Sequence, residues 1–159
     1  MMRTLSFARW SLSSDMESTK VRYAGLTTGA PEQCGCEPCR NFAAQRTEVY
    51  PAAVLELFGN LGIAANREAD VSHFARLARG RHFYAGWFHF VGAILEGRDA
   101  AVQIAENTWQ PDLEPVTDRF KLGFTSRVEL VAKAFEGLQV VQLEFSTELP
   151  WVLDSSEPQ

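Results

Sequence analysis

The sequence predicts an α+β domain: a single antiparallel β-sheet with two or three helices packed on one face. Three observations carry this. Residues 120–133 and 140–151 alternate apolar with polar side chains, as strands with one buried face do. Residues 39–61 instead place apolar side chains at three- and four-residue steps, the period of a helix. Between them, residues 82–95 (HFYAGWFHFVGAIL) are aromatic and β-branched enough for a long, largely buried strand.

The elements follow in order. Leu5, Phe7, Trp10 and Leu12 mark a first strand within residues 4–12. Residues 15–20 read as a turn, and 21–28 as a second strand returning antiparallel. GAPEQCGCEP at 29–38 is a loop rich in helix breakers. The helical stretch from Cys39 carries Phe42, Val49, Tyr50, Val54, Leu57, Phe58 and Leu61 on one face. Pro51 should divide it and Gly62 end it. A further helix is expected from an Asp70 cap, with Val71, Phe74, Leu77 and Ala78 as its stripe and Gly80 as its stop. Then come the long strand, a short strand at 101–105, a proline-bearing loop at 107–118, and the two alternating strands, joined by a hairpin connection at 136–138. At 159 residues the chain has room for one domain, placed at 1–153, with 154–159 as a frayed tail.

Charge narrows the function classes. Fifteen Lys and Arg against 20 Asp and Glu give a net charge of −5, the wrong sign for a general nucleic-acid coat or a polybasic membrane anchor. Arg67, Arg76, Arg79 and Arg81 form a local excess that reads as a solvated helix face. No apolar run approaches the roughly 20 residues that span a bilayer. The basic, serine-bearing start reads as a first strand rather than a targeting segment. All three cysteines fall between positions 34 and 39. An odd, clustered set is not a secreted disulfide framework, and a reducing, cytoplasmic compartment is expected.

That cluster, Cys34-Gly-Cys36-Glu-Pro-Cys39, is the one dense group of reactive side chains. A C-x-x-C pair on a turn lets two thiolates converge on one ion, and the C-x-C pair adds a third. Structural zinc takes four ligands, and three imidazoles compete for the remaining place. His89 is the expected fourth ligand, with a Glu or water as the other ways to complete the shell and a hydrogen-bonded core histidine as its plainer role. His82, at a helix–strand junction, and His73, on the second helix, suit exposed positions. The same thiols support a second chemistry, since Cys36 and Cys39 stand at the start of a helix whose free N–H groups stabilise a thiolate. A third reading leaves the cysteines as small buried hydrophobes. Serine nucleophile turns and glycine-rich phosphate cradles are missing, and Asp112 and Glu114 need only be solubilising charge. The sequence therefore points to a binding or interaction protein, with a protein or small-molecule partner, whose loop holds a zinc-like metal on Cys34, Cys36, Cys39 and His89. A thiol–disulfide oxidoreductase or redox sensor using Cys36 and Cys39, and an interaction protein with neither chemistry, stand as alternatives.

Overall fold

The computed structural model describes residues 1–158 and has the expected α+β architecture, dominated by one antiparallel sheet. Strands β1 (Arg3–Phe7) and β2 (Trp10–Ser14) form a hairpin at the very start. The turn and second strand expected at 15–28 are instead largely one helix, α1 (Met16–Ala24). Asp15 is the reason: its Oδ1 accepts from the Ser18 N–H at 3.1 Å, which caps the helix, and Thr19 and Tyr23, four apart, bury on one side.

Four short helices follow: α2 (Ala30–Cys34), α3 (Glu37–Ala44), α4 (Arg46–Val49) and α5 (Ala52–Leu61). Pro51 divides the last two and Gly62 ends α5, as the sequence predicts. The segment read as a loop carries α2, which starts with Pro31 in its first turn, a position that needs no N–H.

The second expected helix is a strand, β3 (Asp70–Arg76), paired antiparallel with the first part of β4 (Arg81–Glu96). Its apolar residues fit a helical stripe only on paper. Val71 is buried, but Phe74 stands 64% exposed, so no helical face is covered. Ladder pairing along β4 outweighs the local period. The ribbon β5 (Ala101–Ala105) and β6 (Thr108–Pro111), then β7 (Glu114–Thr117), occupy the segment expected as a short strand and a loop. β8 is shorter than its alternation suggests, Phe120–Thr125; residues 126–139 are an irregular connection in which Leu130 is exposed and Phe135 buried. β9 (Val140–Pro150) pairs with β4 and with β8.

The main sheet runs β1-β2-β4-β9-β8-β7, with β3 also beside β4. Between β3 and β2, helix α1 completes the hydrogen bonding of β4. The Tyr23 hydroxyl donates to the His89 carbonyl at 2.7 Å and accepts from its N–H, and Thr19 and Asp15 satisfy Val91. Alternation gives β4 two faces. Tyr84, Phe88 and Phe90 join Phe42, Tyr50, Phe58, Phe120 and Phe145 in an aromatic core beneath the helices. Phe83, Ala85, Trp87 and His89 face the other way, where the 126–139 connection covers only part of the sheet; the Trp87 Nε1–H donates to Glu129 O at 3.1 Å.

The tail expected to fray reaches back onto the sheet. Glu157 accepts a hydrogen bond from His82 at 2.6 Å and pairs with Arg76, and Trp151 packs on the His82 ring. Residue 159 lies outside the described residues. Among the described residues, no helix is long and apolar enough to cross a membrane.

Candidate metal centre

The cysteines sit on a helix–turn–helix corner made by the residues between them. Cys34 is the last residue of α2. Gly35 follows at φ +69°, the left-handed conformation that lets a helix stop abruptly, and its N–H closes α2 onto the Pro31 carbonyl at 3.0 Å. Cys36 is the N-cap of α3, extended in its own backbone, and its carbonyl accepts from the Arg40 N–H at 2.8 Å. Cys39 is one turn further on and faces inward. Cys34 and Cys36 are exposed while Cys39 is buried, and all three are free thiols.

The corner is firmly held. Tyr84 rises from β4 to donate its hydroxyl proton to the Pro38 carbonyl at 2.8 Å and accepts from the Asn41 amide. Asn41 also donates to Pro150 O and accepts from the Val152 N–H, which ties α3 to the end of β9. On the α2 side, Arg46 grips Glu32 with two hydrogen bonds of 2.7 and 2.8 Å, and Glu68 with two of 3.0 and 2.9 Å. The Glu68 side chain is fully buried and accepts a further proton from Tyr50. The helices bearing the cysteines are thus anchored by the protein's own contacts.

The three sulfurs lie within 4.8 Å of one another, with Cys34 and Cys36 at 3.2 Å. In tetrahedral zinc with bonds of about 2.3 Å, sulfurs stand about 3.8 Å apart, inside that range. Electrostatics agrees. The Cys36 backbone N–H, then the neighbouring thiols, hold the Cys34 thiol below its ordinary range. The Cys39 thiol is pushed up: burial is the first reason it resists ionisation, and its sulfur neighbours Cys36 and Cys34 add to it. A cation among the sulfurs counters both.

Among the described residues, these three are the one group of His, Cys, Asp or Glu side chains close enough to hold an ion. His89 stands outside it. The ring is buried on the outward face of β4, where its Nε2–H donates to Gln142 Oε1 at 2.9 Å and burial lowers its pKa. Strand alternation puts it on the face opposite Tyr84; it lines a cavity together with Cys34 without reaching the sulfur group. His82 is fully buried rather than exposed, and His73 is on a strand rather than a helix. Their rings meet at 2.8 Å, and Glu157 binds the far nitrogen of His82, giving a carboxylate–imidazole–imidazole chain. Nothing in the sequence signals this chain, since its parts are far apart along it and the tail carries no pattern.

The sheet's outward face also holds a groove of about 630 Å³, lined by Phe83 and Trp87 from β4, Glu144 and Ser146 from β9, and Lys121 from β8. Alternation assigns Lys121, Glu144 and Ser146 to a polar face, whereas Phe83 and Trp87 belong to the strand expected to be largely buried. Burial raises the Glu144 pKa, and its carboxylate accepts from the Gln142 amide at 2.7 Å. Comparison with protein-family models, with curated proteins and with solved structures finds no match for this chain.

Proposed function

We propose that this is a small binding protein whose Cys34–Cys36–Cys39 corner holds a zinc-like thiophilic ion, with the ion locking α2 to α3. The observation that carries the reading is the convergence of three sulfurs within 4.8 Å on an anchored, exposed corner. Soft thiolate donors favour zinc or copper(I) over magnesium or calcium. The groove beside Trp87 and Glu144 supplies the surface for a small-molecule or protein partner. It falls in the size range of ligand sites and combines aromatic walls with a few polar groups. A reducing, cytoplasmic setting keeps the thiols available.

Zinc titration of the chelator-stripped protein tests this, read by chelator competition and thermal melting. One equivalent should bind. At free zinc about 100-fold above Kd it should add about 2.7 kcal/mol, a rise of roughly 5–10 °C in Tm for a chain of this size. Cys34→Ser, Cys36→Ser and Cys39→Ser should each remove most of that rise. An unchanged melt with no saturable binding would contradict the reading.

The exposed Cys34, its thiol held below the ordinary range and 3.2 Å from Cys36, favours thiol–disulfide exchange as a second reading. In it, one thiolate attacks a substrate disulfide and a second cysteine resolves the mixed disulfide, leaving the substrate as two thiols and the protein oxidised. Turnover of a disulfide substrate with a dithiol reductant, in metal-free protein, would support it.

A further inference from the structure

We infer that the ion held by Cys34, Cys36 and Cys39 keeps one coordination position that the protein does not fill, and that this position accepts a low-molecular-weight thiol. The inference rests on the metal reading above and concerns what that centre does. Closed shells of four protein ligands are the mark of structural zinc; three ligands and a vacancy are the mark of a centre that takes an outside ligand.

Among the described residues, the flanking acids and the imidazoles have partners of their own and none converges on the three sulfurs. Of the acids flanking the cysteines, Glu32 is held by Arg46 through two hydrogen bonds, and Glu37 pairs with Arg40 on the helix surface at 3.8 Å. Of the imidazoles, His89 is bound to Gln142, His82 to Glu157, and His73 to His82. Among the described residues, no fourth donor of these types joins the three sulfurs.

The vacancy also has a direction. Cys39 is buried and forms the inner wall of the site, whereas Cys34 and Cys36 are exposed at its rim. Apart from Gly35 and its two chain neighbours, no heavy atom lies within 4 Å of where a Cβ on Gly35 would stand, so the rest of the fold leaves the turn between the two rim cysteines open. An ion seated on the three sulfurs therefore turns its fourth position to solvent.

Softness selects what enters. Three thiolates make zinc a soft acceptor, and a further sulfur suits it better than a hard oxygen anion. The added negative charge falls at the N-terminal end of α3, where the helix dipole is favourable to it. The exchange balances simply: the incoming thiol displaces the bound water, its sulfur bonds to the metal, and its proton passes to solvent. No oxidant or reductant is needed.

The test uses the 159-residue chain loaded with cobalt(II) in place of zinc and titrated with a small monothiol. Sulfur-to-cobalt charge-transfer absorption should rise saturably by about one third, as three metal–sulfur bonds become four. X-ray absorption on the zinc-loaded protein should find three sulfurs and one light donor before the thiol, and four sulfurs after it. His73→Ala and His89→Gln should leave the cobalt spectrum unchanged. A closed shell would overturn the inference while leaving the metal reading intact; its signs are a spectrum indifferent to thiol, or one altered by either histidine variant. Failure to bind cobalt or zinc at all would overturn both.

Discussion

Arg46→Met should cost more than any surface substitution on this protein, because of what it strands. The Arg46 side chain is 15% exposed and that of Glu68 not at all. Arg46 supplies two of the three hydrogen bonds that the Glu68 carboxylate receives from other side chains, and its only positive charge; Tyr50 supplies the third. Removing one partner of a buried pair leaves a charge without compensation, which costs about 3–5 kcal/mol. An exposed ion pair would cost less than about 1 kcal/mol. For a chain of 159 residues the larger figure corresponds to a drop of roughly 6–20 °C in Tm. Urea unfolding followed by tryptophan fluorescence gives the free energy directly. The sign of a second substitution makes the test sharp: adding Glu68→Gln to Arg46→Met removes the stranded charge and should restore part of the stability. Because the same clamp holds α2, Arg46→Met should also weaken zinc binding at Cys34. A loss below about 1 kcal/mol, or a double variant weaker than the single one, would refute the reasoning.

Two further predictions follow. Burial lowers the pKa of both His89 and His73 below the ordinary 6.5. The unfolded chain therefore takes up protons at these sites before the folded one does, and stability falls as pH drops from 7 through that window. His89→Gln should show a shallower fall than the wild type between pH 7 and 5.5 in parallel melts, and an identical fall would count against a neutral, buried His89. Gly92 pairs with Ser14 where β2 runs antiparallel beside β4, and a Cβ there would run into the Ser13 carbonyl. Gly92→Ala should cost about 1–3 kcal/mol and speed amide exchange in β2 more than in β9; uniform exchange would show the two strands to be less closely joined.

The legible parts of the fold were those in which one local signal had no rival. Strand β9 and the core face of β8 followed from alternation, because each has one face under the helices and the other toward the groove. The break at Pro51 followed from a missing N–H. Where two signals competed, tertiary contacts decided. Val71 and Phe74 satisfied a helical period, yet the open edge of β4 made them a strand. Residues 21–24 satisfied a strand pattern, yet the Asp15 cap and the demands of His89 and Val91 for hydrogen-bond partners made them part of a helix. Val128 and Leu130 continued the alternation of β8 into a segment that the sheet does not extend to include. At the candidate site, the cysteines could be read from spacing alone, since a C-x-C-x-x-C run on Gly and Pro has few ways to keep its sulfurs apart. The surroundings could not. His89 was drawn toward the cysteines by being an imidazole in an apolar strand; it shares a cavity with Cys34, but its ring is bonded to Gln142 and does not reach the three sulfurs.

The most direct test is the metal content of protein purified without a histidine tag or added metal, taken together with a count of reactive thiols under native conditions. The account predicts about one equivalent of zinc, or of another thiophilic ion, with all three thiols protected until a chelator is added. Metal-free protein with three freely reactive thiols, unchanged when zinc is supplied, would contradict it.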